Sequence, residues 1–184
     1  GLIFKAYNER STEIGMWTVF SLGGGSIRIL EENLDFNRKV YPYTSMQEIL
    51  NEAKRLHLSL PQIVFLHEPQ LTNYLSDVIN AMFSAVNRGL EVSGILPGKL
   101  AVEKIAKSLY LQASNQESEE DEKKLKLMAY AYANNEENAS GHLCVTAPTL
   151  GSSGVMASLM YYLYYDCGIS RHKLIEALQV AGLF

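Results

Sequence analysis

An α+β fold is predicted for this chain, strands first and helices after. Two observations carry that prediction. Between Leu2 and Leu30, apolar, aromatic and β-branched residues fall into short runs separated by polar turns and glycines. From Tyr43 onward, apolar residues recur at three- and four-residue spacing behind serine starts, which is the period of an amphipathic helix. An order of this kind segregates a sheet from a helical unit instead of alternating the two. The boundaries that follow are a β-type part over residues 1–36, a linker over 37–44 and a helical part over 45–184.

The elements can be justified in order. "LIFKAY" and "GMWTVFSL" read as strands, "NERSTE" between them as a turn, and "SIRIL" as a third strand after a glycine kink at Gly23–Gly25. Together they make a small antiparallel meander. Ser45 with Glu48, and Ser59 with Gln62, have capping-box spacing, and Pro61 is tolerated in a first helical turn. A longer helix is expected from Thr72 to Arg88, with Leu75, Val78, Ile79, Met82, Phe83 and Val86 inward and Gly89 as its C-terminal cap. "LEVSGILPGKL" is expected to be a loop and Ala101–Gln112 a helix. The charged run near 113–126 is expected to be a solvated, mobile loop. A helix over Lys123–Asn134 with Leu125, Met128, Ala129 and Tyr132 on one side should follow. Another helix should begin near Val155 and carry "YYLYYD" as a packing surface. Ser170 should cap the last one, from Arg171.

Bulk properties narrow the function classes. The chain has 184 residues, of which 47% are hydrophobic, enough for a core. A net charge of −4 without a basic stripe argues against a nucleic-acid partner. Cys144 and Cys167 are too few for a disulfide framework and are expected to be reduced, buried thiols of a cytoplasmic protein. The longest mostly apolar run, Val155–Tyr165, is short of the roughly 20 residues a bilayer span needs, so no membrane partner is expected. The first residues lack a starting methionine and a signal-peptide pattern, and "VAGLF" carries no helix stop. We therefore expect a segment of a longer polypeptide that self-associates through uncovered apolar surface.

Candidate chemistry centres on "VTAPTLGSSGV". Thr146, Thr149, Ser152 and Ser153 offer hydroxyls that donate and accept. Gly151 and Gly154 permit positive φ and close approach of a ligand. If a helix begins at or near Val155, its first N–H groups and dipole favour a carboxylate or phosphate. The other reading is a helix N-terminus capped by Ser152 or Ser153. It is not a Walker A loop, since no lysine follows Gly154. "NEENASG", just upstream, sets Glu136 and Glu137 among carboxamides: either paired acids for proton transfer or a polar helix end. Lys99, in "GILPGKL", is either a point charge facing an anion or a surface lysine. His57, His67, His142 and His172 have no metal-ligand spacing, and His142 lies nearest the loop.

In their order and rough spacing, "SLGGGSI", "GILPGKL", "NEENASG" and "VTAPTLGSSGV" resemble the iron–sulfur-dependent L-serine dehydratases (L-serine ammonia-lyases). "NEENASG" followed closely by "VTAPT" is the most specific part. The resemblance implies that residues 1–36 end a β-type, regulatory-like domain and that 45–184 begin a helical catalytic domain. It implies a carbon–oxygen lyase that eliminates water from L-serine to give pyruvate and ammonia, without pyridoxal phosphate. A [4Fe–4S] cluster is implied as the Lewis acid, with ligands outside this chain, so no metal ligand is assigned within it. Thr146, Thr149, Ser152, Ser153 and Lys99 become candidates for holding L-serine, while no residue is assigned as the catalytic base. Leu150, His142 and Ser153 depart from the family pattern: many members have asparagine or cysteine, glycine, and cysteine there, respectively. Because the resemblance also places a Ser-rich motif and the remaining cluster cysteines outside these 184 residues, the chain alone is expected to be inactive. The alternative is a non-catalytic amino-acid or anion-binding module that uses the Thr146–Gly154 loop.

Overall fold

A computed structural model describes residues 1–23, 26–30, 32, 40–146 and 150–183, the side chains of residues 23, 26, 150 and 153 excepted. The chain is α+β. Three antiparallel strands, β1 (Leu2–Tyr7), β2 (Glu13–Gly23) and β3 (Ser26–Ile29), lie in the order β1-β2-β3. The β1–β2 turn forms because the Asn8 side chain accepts from the backbone N–H of Arg10 (2.9 Å) and of Thr12 (3.0 Å), an Asx arrangement that stands in for a backbone turn. The register pairs Phe4 with Trp17 and Val19 with both Leu2 and Ile29. Apolar side chains stay exposed on both faces, among them Leu2, Ile3, Phe4, Ile14 and Leu22. Trp17 donates from Nε1 to Glu32 at 3.1 Å. Gly24 and Gly25 of the expected kink, and residues 37–39 of the expected linker, lie outside the described residues.

Seven helices follow among the described residues: α1 (Met46–Leu56), α2 (Leu60–His67), α3 (Leu71–Glu91), α4 (Ala106–Ala113), α5 (Glu119–Ala139), α6 (Leu150–Tyr165) and α7 (Arg171–Ala181). Several starts are those the sequence indicates. Ser45 accepts from the Glu48 N–H, Gln62 accepts from the Ser59 N–H at 2.8 Å, and Ser170 accepts from the Lys173 N–H. The Glu48 carboxylate reaches one residue past the cap, to the Thr44 N–H at 2.7 Å. The main core joins α3, α5, α6 and α7 through Ile79, Met82, Phe83, Val86, Tyr130, Met160 and Leu174. Tyr161 stacks between Tyr130 and Tyr165 at centroid distances of 4.6 and 4.4 Å, so "YYLYYD" is a packing surface. Burial pushes the Tyr161 hydroxyl up to about 12.

Several expectations are corrected by the structure. Gly89 does not cap α3, which runs on to Glu91; it is buried, and a Cβ there would strike the backbone of Ala133. Its missing side chain lets α3 press against α5. The helix expected from Ala101 begins at Ala106. Upstream, Leu96 N–H bonds Val102 O and Lys104 N–H bonds Gly94 O, both at 2.8 Å, and Ala101 sits at φ 49°. That excursion consumes the backbone groups a helix would need. The charged run is no loop from Glu119 on: it is the start of α5. The Ser118 hydroxyl accepts from the Asp121 N–H, and Glu119, Glu120, Asp121 and Glu122 complement the positive end of the helix dipole.

The inward face of α5 is also rotated. Met128 and Tyr132 are exposed, and Ala129, Tyr130, Ala133, Asn134, Glu136 and Glu137 are buried. Small residues let neighbouring backbones approach, so the inner face is not the most apolar one. Finally, α6 starts at Leu150, five residues before Val155. Ser152 and Ser153 therefore lie inside its first turn, past the N-cap position. Gly151 and Gly154 are not among the residues at positive φ; neither serves as a left-handed hinge.

Candidate functional site

The C-terminal half of α5 gathers polar groups where a helix normally buries apolar ones. Asn134, Glu136 and Glu137 are all buried, and α3, α4 and α6 close over them. Buried ionisable groups are costly unless partnered, so their partners define the site.

Glu137 has the fuller set. Its Oε2 accepts from Arg88 Nε at 2.6 Å, and its Oε1 lies 3.0 Å from His142 Nδ1. The same guanidinium donates from Nη2 to the Leu143 carbonyl at 3.0 Å. Burial alone would raise the Glu137 pKa; the hydrogen bonds from Arg88 and His142 outweigh it and hold the carboxyl below the usual glutamate value. Glu136 does a different job. Its Oε1 accepts from the backbone N–H of Ile105 (2.7 Å) and of Ala106 (3.2 Å), placing a carboxylate at the N-terminus of α4, where the dipole favours it. Among the described residues, the other oxygen, Oε2, has no hydrogen-bond partner, and neither amide atom of Asn134 has one.

Asn135 meets α6. A Cβ on Gly154 would lie 2.5 Å from Asn135 Oδ1, so Gly154 gives room for close approach, to a carboxamide of this chain. Ser158 Oγ, one turn further along α6, donates to the Leu127 carbonyl at 2.6 Å. These contacts fix the N-terminal turn of α6 beside the buried end of α5.

Residues 28–184 match the model of the family described as serine dehydratase alpha chain. The chain belongs to that family. It is 32% identical to an L-serine dehydratase of Haemophilus influenzae, over 100% of this chain and 43% of that protein. It is 31% identical to an L-serine dehydratase of Streptomyces coelicolor, over 99% of this chain and 43% of that protein. With an L-serine dehydratase of Helicobacter pylori it shares 33% identity, over 88% of this chain and 38% of that protein. The chain thus spans less than half the length of these relatives.

Within this serine dehydratase alpha-chain segment, the sequence-derived site residues sit around one end of α5. Lys99 is exposed on the loop before α4, at a cavity of about 200 Å³ that Leu96, Val102 and Ala139, the last residue of α5, also line. Thr146 is exposed on the segment that Arg88 and His142 tether. Ser152 is exposed in the first turn of α6, and Ser153 shares that turn. Thr149 lies outside the described residues. The loop that carries Lys99 and the chain on either side of residues 147–149 meet the "NEENASG" end of α5. Sequence reasoning flagged the two acids there but not their partners. Arg88, alone as a basic residue in the last turn of α3, was the available clue.

The residues described do not fit an iron–sulfur cluster. Cysteine thiolates hold such clusters, whereas burial, reinforced by Glu137, pushes the Cys144 thiol up. Its Sγ donates to the Asn134 carbonyl at 3.5 Å. Against the expectation of two buried thiols, Cys144 is only partly buried and Cys167 is exposed beyond the far end of α6, a helix about 24 Å long at 1.5 Å per residue. Among the described residues, no three His, Cys, Asp or Glu side chains are grouped to hold a metal ion. No helix among them is long and apolar enough to cross a membrane.

Proposed function

We propose that this chain is part of an L-serine dehydratase, and that it supplies the substrate-holding wall of an active site which converts L-serine to pyruvate and ammonia. The family match over residues 28–184, shared with relatives named L-serine dehydratase, carries this reading. The geometry supports it. The first turn of α6 leaves backbone N–H groups without intrahelical partners, and Thr146 and Ser152 bring exposed hydroxyls to the same end. That combination suits a carboxylate. Lys99, Thr149 and Ser153 complete the proposed holding set, with Lys99 as a countercharge.

A [4Fe–4S] cluster in the whole protein would supply the Lewis acidity for departure of the serine hydroxyl. Its ligands would come from outside this chain. The chain alone is then inactive. Anaerobic reconstitution with iron and sulfide, followed by a pyruvate assay on L-serine, tests the reading. The full-length protein should form pyruvate and the isolated chain should not. Ser152→Ala together with Thr146→Val in the full-length protein should raise KM about tenfold, the equivalent of about 1.4 kcal/mol of lost binding. A reconstituted full-length protein that binds L-serine without converting it would favour an amino-acid-binding module. Turnover by the chain alone would overturn the assignment of the cluster ligands.

A further inference from the structure

We propose that Glu137 is a positioning residue for the segment Leu143–Thr146, with Arg88 and His142 as its two arms. The proposal rests on the functional reading above, since it takes that segment as the substrate loop. Both oxygens of a carboxylate only 1% exposed are engaged, one by α3 through Arg88 and one by the loop itself through His142. A guanidinium is a rigid planar fork, so fixing Nε on Glu137 also fixes where Nη2 points. Here Nη2 points to the Leu143 carbonyl. The buried carboxylate therefore sets the position of the main chain three residues before Thr146 and seven before α6 begins.

Closure of the helix end does not require this device. The carbonyls at the end of α5 are already met by backbone: Ser140 N–H to Glu136 O at 2.9 Å, Gly141 N–H to Asn138 O at 2.9 Å and His142 N–H to Glu137 O at 3.0 Å. Nor is a buried ion pair an efficient source of stability, since an apolar replacement is often at least as stable. What the triad adds is a fixed geometry between α3, α5 and the loop. Asn135, two residues before Glu137, also lies close against Gly154 of α6.

The test uses the full-length protein and reads steady-state kinetics, amide exchange and melting. Arg88→Lys keeps a cation for Glu137 but loses the second arm to Leu143. We expect a melting temperature near wild type, KM for L-serine raised about tenfold, kcat within about threefold, and faster amide exchange at residues 143–146. His142→Ala removes the other arm at a largely solvent-facing residue and should raise KM about threefold with the same exchange signature. Wild-type KM and exchange in both variants would overturn the proposal. So would a fall in kcat alone with exchange unchanged. If the wild-type protein does not turn over L-serine, the functional reading fails by itself. Exchange at 143–146 then still decides whether Glu137 positions the loop.

Discussion

In the first turns of α5, Glu119, Glu120 and Asp121 are exposed, and Glu120 pairs with Lys124 at 2.8 Å along the same helix. In its last turns, Glu136 and Glu137 are buried and pair with other parts of the chain, 31 and 49 residues away in sequence. The changeover comes mid-helix. Lys126 reaches both Glu122 (2.8 Å) and Asp166 (2.7 Å), the latter beyond the end of α6. The same residue types thus serve solubility and helix starting at one end and tertiary geometry at the other. The difference is dielectric and desolvation: exposed pairs are screened by water, while a buried carboxylate holds its charge only where protein groups replace the lost water.

This contrast can be broken most forcefully at Arg88. Arg88→Ala strands a buried carboxylate and should cost about 3 kcal/mol in urea denaturation at neutral pH. The pH dependence has a definite sign. The folded Glu137 pKa is depressed, so its contribution is complete above the ordinary glutamate value of about 4.3 and is lost as pH falls through the folded value. The wild-type and Arg88→Ala stability curves should therefore converge as pH falls through the depressed folded value of Glu137. Parallel curves there would mean that the pair is not what Arg88→Ala removes.

Next in size is Gly89→Ala, which forces α3 off Ala133 and should cost about 2 kcal/mol by overpacking. Gly154→Ala, against the Asn135 carboxamide, should cost about 1 kcal/mol, whereas Gly151→Ala, with nothing within 4 Å, should stabilise by about 0.5 kcal/mol. Thermal melts of the three variants give the ranking. At the solvated end, Ser118→Ala removes a cap and should cost about 1 kcal/mol. Smallest of all, Lys124→Ala should stay within about 0.5 kcal/mol, because its partners are exposed. A loss there as large as at Arg88 would erase the distinction between the two halves.

Much of this architecture could be read from the sequence because its determinants are local. Ser45, Ser59 and Ser170 start helices through contacts three residues away, and the Ile79–Val86 stripe needs only helical periodicity. Part of what the sequence hides depends on distant partners. Gly89 looks like a terminator until Ala133 of another helix is placed against it. The N-terminus of α6 was displaced by five residues because glycines and serines suit a loop as well as a first turn. At the site, motif order located the right end of α5, but no spacing rule links Arg88 to Glu137 across 49 residues. The start of α5 was misread although its determinant was local: Ser118 followed by four acids is a helix start, and charge density masked it.

The chain has one tryptophan and eleven tyrosines. Trp17 stands in β2, while every tyrosine except Tyr7 lies at or beyond residue 41, and many of them stack in the helical core. The two parts of the molecule are therefore optically labelled by nature. Indole emission excited at the red edge reports on the sheet, and near-ultraviolet tyrosine dichroism reports on the helices. Whether sheet and helices melt together can be followed in one cuvette without attaching a dye.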